Sequence, residues 1–249
     1  YDEYNIHYKK GLLLHGPPGT GKTTMIQVIS NILEKSIYRI GINMSCQDFL
    51  LCYHVIPEES IIVIDDIDYT KISPIGFKRY SDGLNLSTFA GIIDGLNSKN
   101  HLFIVTTNDF YGLQSHLGPS LFRDGRLKPF KMDYLSTRDI ITLVKNFIKQ
   151  DNIETKAADF ALKYKDYCLT ASVIENICLK TVVEKKQFDI NIETDIEENS
   201  PLKLDICITR VAQKYPDRDF DEIKTGFEKV FHDYCIPMFT SEQFEWFMY

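Results

Sequence analysis

One octapeptide, GPPGTGKT at residues 16–23, constrains the fold of this chain more than any other feature. It follows an apolar run at residues 11–15 and precedes residues 23–33, whose apolar side chains have helical spacing. The pattern G-x-x-x-x-G-K-[ST] between a strand and a helix predicts a loop whose backbone N–H groups surround phosphate oxygens. The helix N-terminus adds positive potential there. A dinucleotide loop is excluded, because G-x-G-x-x-G needs glycine where Thr24 stands.

The residues of this loop are expected to share the binding of a nucleoside triphosphate. Lys22 is expected to reach the β and γ phosphates, and the Thr23 hydroxyl to hold Mg²⁺. The other nucleotide contacts are predicted for Gly16, Pro17, Pro18, Gly19, Thr20, Gly21 and Thr24.

A second motif, IIVIDDID at residues 61–68, has the form of a buried strand that ends in carboxylates. The carboxyl ends of parallel strands are where such sheets place their functional groups. We expect Asp65 to orient Mg²⁺ through its water shell and Asp66 to polarise the attacking water.

The alternation of short apolar runs with amphipathic segments predicts an α/β fold, a parallel sheet with helices on both faces. Strands are predicted at residues 11–15, 37–42, 61–65, 102–106 and 128–132, with helices at 23–33 and 87–96. Beyond them the pattern is helical, at residues 137–149, 157–165, 170–185, 202–214 and 220–234. The sequence therefore predicts an α/β domain at residues 1–136 and a smaller helical domain at 137–249.

Composition limits the partners and the environment. The net charge of −7 argues against a surface that embraces nucleic acid, and the apolar runs are too short for a membrane helix. The six cysteines show no zinc-binding or C-x-x-C spacing, which predicts free thiols in a reducing, intracellular compartment. Because the sequence begins with Tyr1 and not Met, we expect it to be processed or part of a longer chain, and any membrane attachment to come from a segment outside it.

Four features in this order resemble the AAA branch of the AAA+ ATPases. They are GPPGTGKT, IIVIDDID, Asn108 at the end of LFIVTTN, and the arginine segment LFRDGR at residues 121–126. The resemblance implies Mg²⁺-dependent hydrolysis of ATP, with Asn108 helping Asp66 to place the water. It implies that Arg123 and Arg126 act on the nucleotide of a neighbouring subunit, in a hexameric or heptameric ring. It also implies that the helical domain is a lid.

Within this branch, the runs around both motifs are similar to the subfamily of mitochondrial translocases of the folded Rieske protein. That similarity implies a protein client and an association with the mitochondrial inner membrane. Residues 43–47 lack the aromatic-apolar-glycine loop with which threading AAA machines grip unfolded chains.

Two other functions stay open. One is a replication or repair motor that acts on nucleic acid. A basic and aromatic cluster in the loop after the second motif would face a central pore and touch either a client or nucleic acid; its residues are Lys71, Lys78, Arg79, Tyr69, Phe77 and Tyr80. An ATP-binding switch with little turnover is the other, because Asp66 stands where most of the family has the longer Glu.

Overall fold

The computed structural model describes residues 10–41, 45–67, 86–93, 100–122 and 126–192, together with scattered positions from 196 to 225. The chain divides into two compact units, one of Tyr1–Gly16 with Gly21–Met132 and one of Pro17–Thr20 with Asp133–Tyr249. The helices predicted at 202–214 and 220–234 lie largely outside the described residues, as does the whole basic and aromatic cluster of residues 69–80.

The described part of the first unit is built on five parallel strands in the order β2-β3-β4-β1-β5. Their bounds are β1 Lys10–His15, β2 Ile37–Arg39, β3 Ile61–Ile64, β4 Leu102–Thr107 and β5 Leu127–Lys131. Strand β2 is shorter than the predicted 37–42, although the Ile40 N–H still donates to the Val63 carbonyl at 2.9 Å. Among the described strands it lies at the edge of the sheet, with one neighbour to pair with.

Helices cover both faces of this sheet. Their bounds are α1 Lys22–Leu33, α2 Cys46–Val55, α3 Leu86–Ile93 and α4 Phe110–Leu117. Successive strand residues point to opposite faces, so Val63 packs in one cluster with Ile26 of α1, while Ile64 packs in another with Phe49 of α2 and Phe89 of α3. All residues of β3 and β4 are buried. The predicted α/β fold is confirmed.

The strand order brings three loops to one edge of the sheet. The chain passes from β1 out to β2, returns through β3 and β4 to lie beside β1 again, and then crosses to β5. In such sheets, ligands bind at the carboxyl ends of the strands where the order reverses. The segments that follow β1, β3 and β4 therefore begin at neighbouring points.

The described helices of the second unit are α5 Thr137–Phe147, α6 Ile153–Lys163 and α7 Ala171–Val183. A capping box starts α5: Ser136 accepts the Asp139 N–H, and the Asp139 carboxylate accepts the Ser136 N–H. The core of this unit contains Val144 of α5, Phe160 of α6 and Ile174 of α7, none more than 1% exposed.

Four free thiols lie among the described residues, at Cys46, Cys52, Cys168 and Cys178. Cys178 is fully buried in the core of the second unit. Burial, with a smaller contribution from the charge of Glu175, raises the pKa of its thiol to about 11. This thiol therefore packs as a small apolar group at neutral pH.

Tyr164, at the end of α6, fastens the segment that follows α7 to the core. Its hydroxyl donates to the Ile190 carbonyl at 3.1 Å and accepts the Ile192 N–H at 3.0 Å. The residue is 3% exposed, and its ring packs against Phe160 with centroids 4.9 Å apart. One side chain thus satisfies two backbone groups of a stretch without regular structure.

Removing this hydroxyl should destabilise the second unit. We expect Tyr164→Phe to lower the free energy of unfolding by about 1–3 kcal/mol, because two backbone groups lose a buried partner. Chemical denaturation followed by circular dichroism measures the change. Tyr167→Phe is the matched control, since its hydroxyl lies 3.4 Å from the exposed Glu197 carboxylate. Equal losses in the two variants would contradict this role for Tyr164.

Candidate functional site

Two glycines shape the part of the phosphate-binding loop that belongs to the first unit. Gly16 has φ +140°, and a Cβ there would lie 2.0 Å from the Met132 carbonyl oxygen. Gly21, with φ +92°, precedes α1 without a side-chain cap on the helix. Because the first N–H groups of a helix have no partner within it, this uncapped end suits an anion.

The remaining loop residues, Pro17–Thr20, belong to the second unit. The Thr20 hydroxyl donates to the Pro17 carbonyl at 2.9 Å and closes a tight turn. Gly19 has φ +78°, its carbonyl accepts the Ser172 N–H at 3.0 Å, and a Cβ would lie 2.3 Å from the Ser172 hydroxyl. Any larger residue at this position would be strained and obstructed.

Lys22 is the cation of the loop. Its Nζ donates to the Gly16 carbonyl at 2.8 Å. Burial lowers the pKa of the ammonium group, while the charges of Asp66 and Asp65 act in the opposite direction. The structure thus brings the predicted phosphate-binding lysine within the field of both predicted carboxylates.

A single hydroxyl, that of Thr106 near the end of β4, joins these two acidic residues. It donates to Asp65 Oδ1 at 2.7 Å and accepts the Asp66 N–H at 2.6 Å. Thr106 is 1% exposed and therefore fixed by packing. Asp66 adopts φ +53°, a left-handed conformation that Asp tolerates better than most residues. The bond to Thr106 holds the backbone in this conformation.

The side chains of Asp66 and Asn108 meet, as the sequence predicts. Asn108 Nδ2 donates to Asp66 Oδ1 at 3.0 Å. Both residues are exposed at the ends of neighbouring strands, where solvent and a ligand can reach them. A carboxylate oriented by an amide in this way can accept a hydrogen bond from a water molecule.

The side chains present suit Mg²⁺ and a nucleotide. The Thr23 hydroxyl and the Asp65 carboxylate are oxygen donors, the class that Mg²⁺ prefers. Glycine has no Cβ, so neighbouring atoms can approach closely at the glycine positions of the loop. Together with the Lys22 cation, these positions suit a polyphosphate.

The arginine segment is only partly described. Arg123 lies outside the described residues. Arg126, just before β5, donates from Nη1 to the carbonyl of Ser120, at 2.8 Å, within the short 3₁₀ helix Pro119–Phe122. A guanidinium carries five N–H donors, and this bond uses one of them.

Sequence reasoning missed two residues that contact the carboxylates. Thr106 is one, and Arg39 at the end of β2 is the other, with its Nη2 3.0 Å from Asp65 Oδ2. In the sequence, each is recognisable only as a polar residue near the end of a strand.

Comparison with known proteins agrees with this geometry. Residues 12–130 match the model of the ATPase family associated with various cellular activities, abbreviated AAA. Residues 12–130 of this chain therefore form an AAA domain. The family resemblance predicted from the four motifs is confirmed.

Curated relatives extend the match beyond the first unit. AAA-ATPase At3g28600 of Arabidopsis thaliana is 28% identical over 260 residues, covering 95% of this chain and 51% of the relative. AAA-ATPase ASD, mitochondrial, of the same plant is 30% identical over 222 residues, 75% of this chain and 43% of the relative. The human protein named mitochondrial chaperone BCS1 is 30% identical over 141 residues, 51% of this chain and 32% of the relative. The chain spans about half the length of the first of these AAA proteins.

The Thr106 bridge predicts a site-specific loss. We expect Thr106→Val to lower the free energy of unfolding by about 1–3 kcal/mol, since Asp65 and the Asp66 N–H each lose a partner. Affinity for Mg²⁺·ATP, measured by calorimetry, should fall about 10-fold because the carboxylates lose their alignment.

Thr107→Val provides the control within the same strand. Thr107 is also 1% exposed, and its hydroxyl accepts the Asp109 N–H at 3.1 Å, away from the carboxylates. This variant should be destabilised without the loss of Mg²⁺·ATP affinity. The same affinity in both variants would show that Thr106 serves stability alone.

Proposed function

We propose that this AAA protein binds ATP with Mg²⁺ and hydrolyses it to ADP and phosphate. The observation that carries the proposal is the contact of Asn108 with Asp66, 3.0 Å from amide nitrogen to carboxylate oxygen. It lies at the sheet edge that also carries Lys22 and Asp65. Phosphoryl transfer to water needs three parts together: a cation that binds the phosphates, a carboxylate that holds the metal, and an oriented base.

The proposal gives each candidate site residue of the first unit a defined role. Lys22 and the loop N–H groups bind the phosphates, while Thr23 and Asp65 hold Mg²⁺. When bound, Mg²⁺ neutralises charge on the phosphate oxygens. Asp66 orients and polarises the attacking water, and Asn108 fixes the carboxylate for that task. Most of the rate enhancement then comes from positioning and charge stabilisation.

We infer that the site is completed by a neighbouring copy of the chain. Arg123 and Arg126 follow the 3₁₀ helix and β4 in the order found in the family, where this segment enters the next subunit's site. The Arg126–Ser120 bond joins the residue before β5 to the 3₁₀ helix. A cation supplied in trans needs a neighbour at every site, which a closed ring provides with one such contact per interface. The family resemblance implies that the proposed ring has six or seven subunits.

A protein client is the proposed target of the ring. The human relative is named a mitochondrial chaperone, and the net charge of −7 favours protein over nucleic acid.

Residues 1–136 form the proposed ATP-binding domain and 137–249 the proposed lid. Among the described residues, none of the helices is both long enough and apolar enough to cross a bilayer. The names of two relatives, both called mitochondrial, support a proposed mitochondrial association.

Replacing the proposed base should separate binding from hydrolysis. Asp66→Asn keeps the size of the side chain and removes its charge, so ATP affinity should stay within a few-fold of the parent. Steady-state hydrolysis should fall at least ~100-fold, the scale for losing a positioned acid–base group. Asp48→Asn, an exposed carboxylate on α2, serves as the control and should hydrolyse ATP like the parent.

Two results would redirect the proposal. Full hydrolysis by Asp66→Asn would exclude this residue as the base. A parent that binds ATP without measurable turnover at any protein concentration would instead favour the ATP-binding switch, since the Asp66 carboxylate is one methylene shorter than the usual Glu.

Trans action of the arginines predicts complementation. Arg123→Ala and Arg126→Ala should each bind ATP but lose turnover, since an arginine finger contributes about 10³ to 10⁵ in rate. Mixing either variant with Asp66→Asn should restore part of the activity, because some interfaces then pair an intact Asp66 with intact arginines. Arginines that act within their own subunit predict no recovery in mixed rings, whose formation mass spectrometry verifies.

A further inference from the structure

Arg39 is a charged residue that the roles above leave unexplained. It ends the edge strand β2, and its Nη2 lies 3.0 Å from Oδ2 of Asp65, the carboxylate proposed to hold Mg²⁺. The Arg39 side chain is 60% exposed, while that of Asp65 is 22% exposed. An exposed cation is thus paired with a carboxylate that is largely shielded from solvent.

The two oxygens of Asp65 have partners of different kinds. Oδ1 accepts the hydroxyl of Thr106, which is 1% exposed and fixed by the core. Oδ2 forms an ion pair with Arg39, whose exposed guanidinium can leave without opening the fold. Exposed ion pairs are weak and easily exchanged. One oxygen therefore keeps Asp65 oriented, and the other has a partner that can be replaced.

We propose that Arg39 is a positioning residue that competes with Mg²⁺ for Asp65 and thereby sets the magnesium concentration at which nucleotide binds. The inference rests on the role proposed above for Asp65. A guanidinium and a dication repel each other, and both seek the same carboxylate oxygen. Binding of the metal complex must therefore displace the pair, which raises the magnesium concentration required.

Loss of Arg39 should leave the other supports of Asp65 in place. The Thr106 hydroxyl still donates to Oδ1, and Lys22 still interacts with the charge of Asp65. Asp65 therefore stays oriented while its second oxygen becomes available to the water shell of the metal. Without the arginine, nucleotide should therefore bind at a lower Mg²⁺ concentration.

The experiment measures binding and does not depend on turnover. A fluorescent, non-hydrolysable ATP analogue is titrated with Mg²⁺ on the full chain, for the parent, Arg39→Gln and Arg39→Met. Both variants should reach half-maximal binding at a Mg²⁺ concentration about 3- to 10-fold lower than the parent, because a nearby positive charge is gone. Raising the ionic strength should narrow the difference.

Two controls test whether the effect depends on the positive charge and on its position. Arg39→Lys retains the cation and should stay near the parent, while Arg138→Gln removes an exposed arginine from α5 and should not change the titration. An unchanged or higher magnesium requirement in both neutral Arg39 variants would overturn this inference while leaving the proposed function in place. A parent whose analogue binding does not respond to Mg²⁺ would overturn the metal role of Asp65, and this inference with it.

Discussion

The pairing of β4 with both β3 and β1 is the constraint on which the rest of the site depends. Its register sets Ile64 opposite Val105 on one side and His15 opposite Thr107 on the other. The three strands consequently end within two residues of each other, and the groups that follow them lie together. A one-residue slip would move every side chain of a strand to the opposite face, and close packing on both faces opposes it.

Local electrostatics then determine which groups can coexist at this edge. Asp65 and Asp66 are adjacent carboxylates, and the opposite charges come from Lys22 at the start of α1 and Arg39 at the end of β2. Thr106 adds a neutral hydroxyl that bonds to both acidic residues. Thr106 thus anchors both acidic residues from the core side, while Asp65 Oδ2 is paired with the exposed Arg39 and Asp66 is itself exposed. This arrangement suits a ligand that carries its own metal and charge.

The backbone conformations of the loop and of Asp66 support the same view. Gly16 and Gly21 have positive φ values, at positions where a side chain would meet backbone or strain the chain. Asp66, although it is not a glycine, also has a left-handed backbone conformation. Residues in sparsely populated conformations persist only where their surroundings impose them, and they concentrate at functional sites. Here the bond from the Asp66 N–H to Thr106 provides that restraint.

The sequence by itself determined the α/β fold, the family resemblance and the chain positions proposed to carry the chemistry, because GPPGTGKT and IIVIDDID combine strict spacing with strand and helix context. The resemblance also implied that Asn108 acts with Asp66, and the two side chains meet because β3 and β4 pair in parallel and end at the same end of the sheet. Only the tertiary structure decided that Arg39 and Thr106 reach Asp65, since their separations in the chain, 26 and 41 residues, carry no local pattern. Such contacts depend on strand order and register, which arise from packing over the whole sheet and not from any one segment.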